Sequence, residues 1–70
     1  MMATAKLNIT QARKIVTIAY YTVLNRKPDD SGLKSWSNDL VSGKITETDL
    51  YYGLFTSKEY QLLLEKQNKR

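Results

Sequence analysis

Hydrophobic residues recur along this chain at the spacing of an α-helix, and they nowhere alternate as they do in a β-strand. Beyond Thr10 they fall three or four residues apart, which forms one continuous apolar stripe on a helix surface. The stripe consists of Ala12, Ile15, Val16, Ala19, Tyr20, Val23 and Leu24. The pattern predicts a first helix from about Gln11 to Leu24, with Thr10 as its N-cap.

The residues that follow predict a helix end and a new start. Asn25 stands where a left-handed residue ends many helices, and Asn tolerates that conformation second best to Gly. Pro28 prevents the helix from continuing. Asp29 or Asp30 can cap a second helix, and both place negative charge at the positive end of its dipole.

Three further helices are predicted from the remaining pattern. The second carries Leu33, Trp36, Leu40 and Val41 on one face and ends at Gly43. Thr46 to Asp49 open the third as a capping box, and its inward residues are Leu50, Tyr51 and Leu54. Ser57 is the predicted N-cap of the fourth, whose inner face is Tyr60, Leu63 and Leu64. We therefore expect an all-α fold, a compact bundle of four short helices, with a flexible arm at 1–9, one helical domain at 10–65 and a frayed basic tail at 66–70.

Composition excludes several kinds of site. The 70 residues include no cysteine and no histidine, so disulfides, zinc–thiolate sites and the commonest general base are missing. We therefore expect no enzymatic activity, no cofactor and no metal. Asp29, Asp30 and Gly32 superficially resemble a calcium loop. With Gly32 at the sixth position, Lys27 would be the first ligand, and a cation cannot bind Ca²⁺.

Charge and hydropathy bear on partners and location. The net charge of +4 is dispersed along the chain, which is typical of a solvated surface and leaves nucleic-acid binding as an alternative. No apolar run is long enough to span a membrane, so no membrane association is expected. The N-terminus does not resemble a signal peptide, which favours a cytoplasmic location, in the host cell or in a virion if the protein is viral.

Two residues near the predicted turn have both a structural and a functional interpretation. Arg26 is expected to pair with Asp29 or Glu59 or to bind carbonyls at a helix end, with a phosphate or carboxylate grip as the alternative. Trp36 is expected in the core because it shares a face with Leu33, with a stacking platform for sugars or single-stranded nucleic acid as the alternative.

A spaced set of residues between about 15 and 61 resembles a bacterial family known as domain-of-unknown-function family 4214. The matching positions are Tyr20, Asn25, Arg26, Pro28, Asp29, Gly32, Leu33, Trp36, Leu40, Gly43, Phe55, Ser57, Glu59 and Tyr60. Asn25 departs from the Gly that the family prefers. The resemblance implies a small helical module without catalytic activity, found in secreted or surface proteins, in large assemblies and in bacteriophage proteins. Its helices also resemble linker domains of light-harvesting complexes.

Apolar residues left off the predicted core faces are candidates for a partner surface. Ile18 and Tyr21 share the outer face of the first helix with Lys14, while Tyr52 and Leu62 lie off the inner faces of the third and fourth. If these side chains converge, they form a site for a protein partner or for self-association. The leading hypothesis is a protein-interaction or assembly module. A small nucleic-acid-binding protein is the alternative, and carbohydrate binding through aromatic residues is a third.

Overall fold

The computed structural model describes residues 7–68, and their secondary structure consists of four α-helices. They are α1 (Ile9–Leu24), α2 (Asp30–Ser42), α3 (Glu47–Phe55) and α4 (Lys58–Asn68). These residues contain no β-strand. The predicted all-α bundle of four short helices is therefore confirmed.

The first helix begins two residues earlier than predicted, and its N-cap is Asn8. The Asn8 side-chain oxygen accepts from the Gln11 backbone N–H at 2.8 Å, and the Gln11 side-chain oxygen accepts from the Asn8 N–H at 3.1 Å. This reciprocal capping box satisfies amides that would otherwise lack partners and places Thr10 inside the helix. The prediction of Thr10 as the cap is wrong. Residues 1–6 of the predicted arm lie outside the described residues.

Two left-handed residues end the first two helices, as predicted. Asn25 has φ 57° and ψ 35°, and Gly43 has φ 81°. The Gly43 N–H donates to the Leu40 carbonyl, which satisfies one of the free acceptors at the end of α2. Asp29 occupies the N-cap position of α2, but its carboxylate accepts from the Ser31 hydroxyl at 3.1 Å and not from a helix amide.

Both predicted caps of the last two helices are confirmed. Thr46 Oγ1 accepts from the Asp49 N–H at 3.2 Å, and Asp49 Oδ2 accepts from the Thr46 N–H at 3.0 Å. Ser57 Oγ accepts from the Tyr60 N–H at 3.2 Å, which caps α4. The turns between the helices are therefore defined by local hydrogen bonds.

The hydrophobic core is built around α1, which contacts each of the other three helices. Its buried members are Ala12, Val16, Ala19, Tyr20, Val23, Leu24, Leu40, Leu50 and Leu54. Leu33, Trp36, Val41, Tyr51, Tyr60 and Leu63 are partly buried against them. Trp36 thus packs at the edge of the core, and a Cβ on Gly53 would lie 2.8 Å from its Cη2 atom. Gly53 therefore lets α3 approach the indole closely.

The fourth helix packs less deeply than predicted. None of residues 58–67 is fully buried, and Leu64 is 40% exposed. The placement of Leu64 on the inner face is wrong because α4 touches the other helices along a narrow strip centred near Leu63, and Leu64 lies about 100° from it. The helix continues through residues 66–68, and residues 69 and 70 lie outside the described residues.

Candidate interaction surface

The outer face of α1 carries three exposed side chains on one strip. Lys14, Ile18 and Tyr21 fall within about 60° of arc around the helix axis. Ile18 is 56% exposed and Tyr21 is 54% exposed, and Lys14 is also exposed. Both apolar side chains thus remain in solvent although the helix that carries them forms the centre of the core.

Tyr21 also borders a groove between the end of α1 and α4, which we call the α1–α4 groove. Its volume is about 310 Å³. It is lined by Tyr21, Thr22, Val23, Asn25, Tyr60, Leu63, Leu64 and Gln67. The exposed Leu64 therefore lies across the groove from Tyr21. Tyr21, at one end of the strip, thus borders a concavity that polar and apolar side chains line together.

The other two predicted partner-binding residues, Leu62 and Tyr52, do not lie on the strip of α1 or in the α1–α4 groove. Leu62 is 52% exposed and lies on the flank of α4 opposite to Leu64. It lines a second groove with Glu59, Leu63, Glu65 and Lys66. Tyr52 is the most exposed of the large apolar residues and borders neither groove. The structure thus brings Tyr21 together with Leu64, and it places Leu62 and Tyr52 on separate surfaces.

Arg26 holds α4 against the connection between α1 and α2. Its Nε donates to Glu59 Oε2 at 2.6 Å, and its Nη2 donates to Glu59 Oε1 at 2.8 Å. Its Nη1 donates to the Lys27 carbonyl at 2.8 Å, and the guanidinium lies 5.2 Å from the centre of the Tyr20 ring. The partner of Arg26 is therefore Glu59, and all three guanidinium nitrogens have protein acceptors.

The Arg26–Glu59 pair shifts the pKa of both side chains. The hydrogen bond from Arg26 lowers the pKa of Glu59 below its ordinary value, and this outweighs the opposing effect of burial. The hydrogen bond to Glu59 raises the pKa of Arg26 in the same way. Each partner stabilises the charged form of the other. Arg26 consequently has a structural role, because it holds the start of α4 in place.

A third groove lies between the start of α1 and α2, with a volume of about 380 Å³. It is lined by Ile9, Arg13, Asp30, Leu33, Lys34, Ser37 and Asn38. The hydroxyl of Ser37 is buried and makes no hydrogen bond within the described residues. The groove has mixed charge, because Arg13 and Lys34 are positive and Asp30 is negative.

Neither a metal cluster nor a membrane-spanning helix is found in the part of the chain that the structure describes. Within residues 7–68, no three potential ligands of the Asp and Glu type lie close enough together to hold a metal ion. No helix in the same range has the length and apolar character that crossing a lipid bilayer requires.

Three short helices packed around a central one, α1, define the described part of the protein as a small all-α domain. The chain belongs to the family described as Domain of unknown function (DUF4214), whose model matches residues 3–64. This confirms the family resemblance, and the match extends beyond the residues on which the resemblance rests. No curated protein and no solved structure matches the chain significantly.

Proposed function

We propose that this protein is a non-enzymatic interaction or assembly module that binds a larger protein through the outer surface of α1. This surface consists of Lys14, Ile18 and Tyr21, together with Leu64 across the α1–α4 groove. The family resemblance extends the proposal to a bacteriophage accessory or virion component, located in the host cytoplasm or in the virion. No cofactor or metal takes part in the proposed function.

One observation carries the proposal, which is the exposure of Ile18 and Tyr21 on one strip of α1, with Tyr21 at the edge of the α1–α4 groove. A single exposed apolar residue is common on soluble proteins, whereas adjacent ones beside a concavity are typical of binding sites. Tyrosine contributes a large contact area at a small cost in side-chain entropy. Lys14 at the end of the strip adds a charge that orients an acidic partner.

The proposal is tested by binding measurements on matched aspartate variants. Ile18→Asp introduces a charge into the surface, and Ile9→Asp introduces the same charge into the same helix at a residue that is 44% exposed. Tagged wild-type and variant proteins are used to capture partners from a host lysate, and the captured protein is identified and its affinity measured with purified components.

We expect Ile18→Asp to weaken the affinity at least about 30-fold and Tyr21→Ala about 10-fold or more, because truncated hot-spot side chains cost about 2 kcal/mol. Ile9→Asp is expected to bind like the wild type. Equal affinities of Ile18→Asp and Ile9→Asp, with helical circular dichroism intact in both, would contradict the proposal.

Nucleic-acid binding is the second candidate, and the positions of Arg13 and Lys34 on one groove favour it. The carboxylate of Asp30 on the same groove opposes the approach of a phosphate backbone. A gel-shift titration at about 50 mM salt tests whether the protein binds nucleic acid, because phosphate contacts are strongest at low ionic strength. Binding that falls steeply with salt and is reduced in Arg13→Ala would support this alternative, and no shift at low salt would eliminate it.

A further inference from the structure

The flank of α4 that carries Leu62 has a self-complementary pattern of charge. Glu59, Leu62, Leu63 and Lys66 are spaced i, i+3, i+4 and i+7, which places them along one face of the helix. Together with Glu65 they line one groove of about 360 Å³. The face therefore has two leucines at its centre, Glu59 at one end and Lys66 at the other, while Glu65 lies at its margin, about 100° around the helix from Lys66.

The two charges cannot neutralise each other within one helix. Lys66 follows Glu59 by seven positions, a rise of about 10 Å along the helix axis. Within the described residues Lys66 makes no ion pair, and the carboxylate of Glu59 is bound only to Arg26. Each carboxylate oxygen has a second acceptor position, so Glu59 can receive a further cation.

We propose that a second copy of this chain docks on this face, with the two α4 helices antiparallel and a two-fold axis between Leu62 and Leu63. Glu59 of each copy then lies beside Lys66 of the other, and Leu62 of each lies beside Leu63 of the other. Such an arrangement uses the same patch on both subunits, as two-fold interfaces do. A parallel arrangement would place Glu59 against Glu59 and Lys66 against Lys66, which is repulsive.

The interface is small, and this sets the strength of the dimer. The 11 residues of α4 span about 16 Å. Contact along this length is less than the roughly 1,200–2,000 Å² that stable interfaces bury. The dimer is therefore weak and depends on protein concentration. It leaves Tyr21 and Leu64 free, because Leu64 lies on the opposite flank of α4, although Leu63 borders both grooves.

Introduced cysteines test the geometry, because the natural chain has none. In the antiparallel arrangement, the two residues at position 62 differ by about 1.5 Å along the helix axis, and those at position 66 differ by about 10 Å. A disulfide requires Cα atoms within about 7 Å. We expect Leu62→Cys to form a disulfide-linked dimer on mild oxidation and Lys66→Cys to remain monomeric under the same conditions. Equal crosslinking of the two variants, or none of Leu62→Cys, would overturn the proposed geometry.

Sedimentation equilibrium tests the charge pairing without any crosslink. Lys66→Glu places two carboxylates at each end of the interface, while Lys44→Glu makes the same change in net charge in the turn before α3. We expect the wild type and Lys44→Glu to dimerise as concentration rises towards about 1 mM, and the dissociation constant of Lys66→Glu to be at least about 10-fold higher.

A wild type that stays monomeric at about 1 mM, or a Lys66→Glu protein that dimerises as well as Lys44→Glu, would refute the dimer. Ile18→Asp separates this inference from the proposed function, since it is expected to lose the larger partner and to keep the dimer. Circular dichroism of each variant verifies that the helices are intact.

Discussion

The first and fourth helices of this small domain are held in place in different ways. Six side chains of α1 are buried, whereas none of residues 58–67 in α4 is. Three contacts hold α4 against the rest of the domain. They are the Arg26–Glu59 ion pair, the packing of the partly buried Leu63, and the edge-to-face contact of Tyr60 with Phe55, whose ring centroids are 5.0 Å apart. We infer that the stability of the domain resides in α1 to α3 and that α4 is the element most easily released.

The difference between the two helices also bears on function. A helix that buries little against its own domain keeps apolar side chains for other contacts, and α4 presents Leu62 on one flank and Leu64 on the other. Binding at either flank would stabilise α4 by mass action. The proposed dimer, and Leu64 in the proposed partner surface, thus involve the part of the domain that has the most stability to gain.

The largest effect on stability is expected from a cavity in the core that α1, α2 and α3 form. Leu50 is fully buried, so Leu50→Ala removes apolar contacts and leaves a void beside α1. We expect a loss of about 3 kcal/mol in the free energy of unfolding, within the range of about 2–5 kcal/mol for buried leucines. Urea denaturation followed by circular dichroism measures it. A loss below about 1 kcal/mol would mean that the core is not centred on these helices.

A smaller effect is expected where α2 ends. Gly43 has φ 81°, and a side chain costs about 1–2 kcal/mol in the left-handed conformation. Gly43→Ala should therefore destabilise the domain by about 1 kcal/mol. Crowding is not the cause, because a Cβ added to Gly43 would have no other atom within 4 Å. The same denaturation measurement tests this, and an unchanged midpoint would show that the turn adapts at no cost.

A still smaller effect is expected from breaking the Arg26–Glu59 pair. Both side chains of the pair are 41% exposed, so solvent screening limits the effect of Glu59→Gln to about 0.5–1 kcal/mol. The loss should appear as faster hydrogen exchange in α4 with little change in α1. Equal acceleration in both helices would show that α4 unfolds only with the whole domain.

Acid should reproduce the effect of that substitution. The pKa of Glu59 is lowered in the folded protein, so its contribution is complete above the ordinary value of 4.5 and is lost as the pH falls through the folded value. The raised pKa of Arg26 keeps that residue charged throughout this range. We expect exchange in α4, corrected for the intrinsic pH dependence, to accelerate below about pH 4 in the wild type and to change much less in Glu59→Gln. The same response in both proteins would exclude the pair as its cause.

The smallest effect is expected at Leu62, one of two exposed leucines in α4. Leu62 is 52% exposed, and Leu62→Ala should change the free energy of unfolding of the dilute monomer by no more than about 0.5 kcal/mol. Leu50→Ala is the same substitution in the core. The difference between the two losses in free energy of unfolding therefore measures how differently α4 and the core contribute to stability. A loss of more than about 1.5 kcal/mol at Leu62 would show that α4 is part of the core.

The helix ends were largely predictable from sequence because their chemistry is local. Asn25, Gly43 and Ser57 each act on residues a few positions away, and their types are suited to those positions. The start of α1 was missed because Thr10 is an acceptable N-cap when considered alone. The competing pair of Asn8 and Gln11 satisfies two amides and prevails over it.

Features that depend on packing were not predictable from the sequence. Periodicity shows which residues share a helix face, but it does not show how wide a strip of α4 the other helices cover, so Leu64 was misplaced. The choice of Glu59 as partner of Arg26 joins residues 33 positions apart. The need for Gly53 follows only from the position of Trp36. The three consecutive leucines of α4 spread over about 200° of the helix, so a narrow contact strip leaves both Leu62 and Leu64 exposed.

Native-state hydrogen exchange of the wild-type protein, at low and at high concentration, tests most directly whether α4 is the separable region. At about 20 μM we expect amides of α1 to exchange only through global unfolding and those of α4 to open at a free energy lower by about 2 kcal/mol or more. Near 1 mM the proposed dimer should increase the protection of α4 and leave that of α1 unchanged. Protection of α4 equal to that of α1 in the dilute protein would contradict the account.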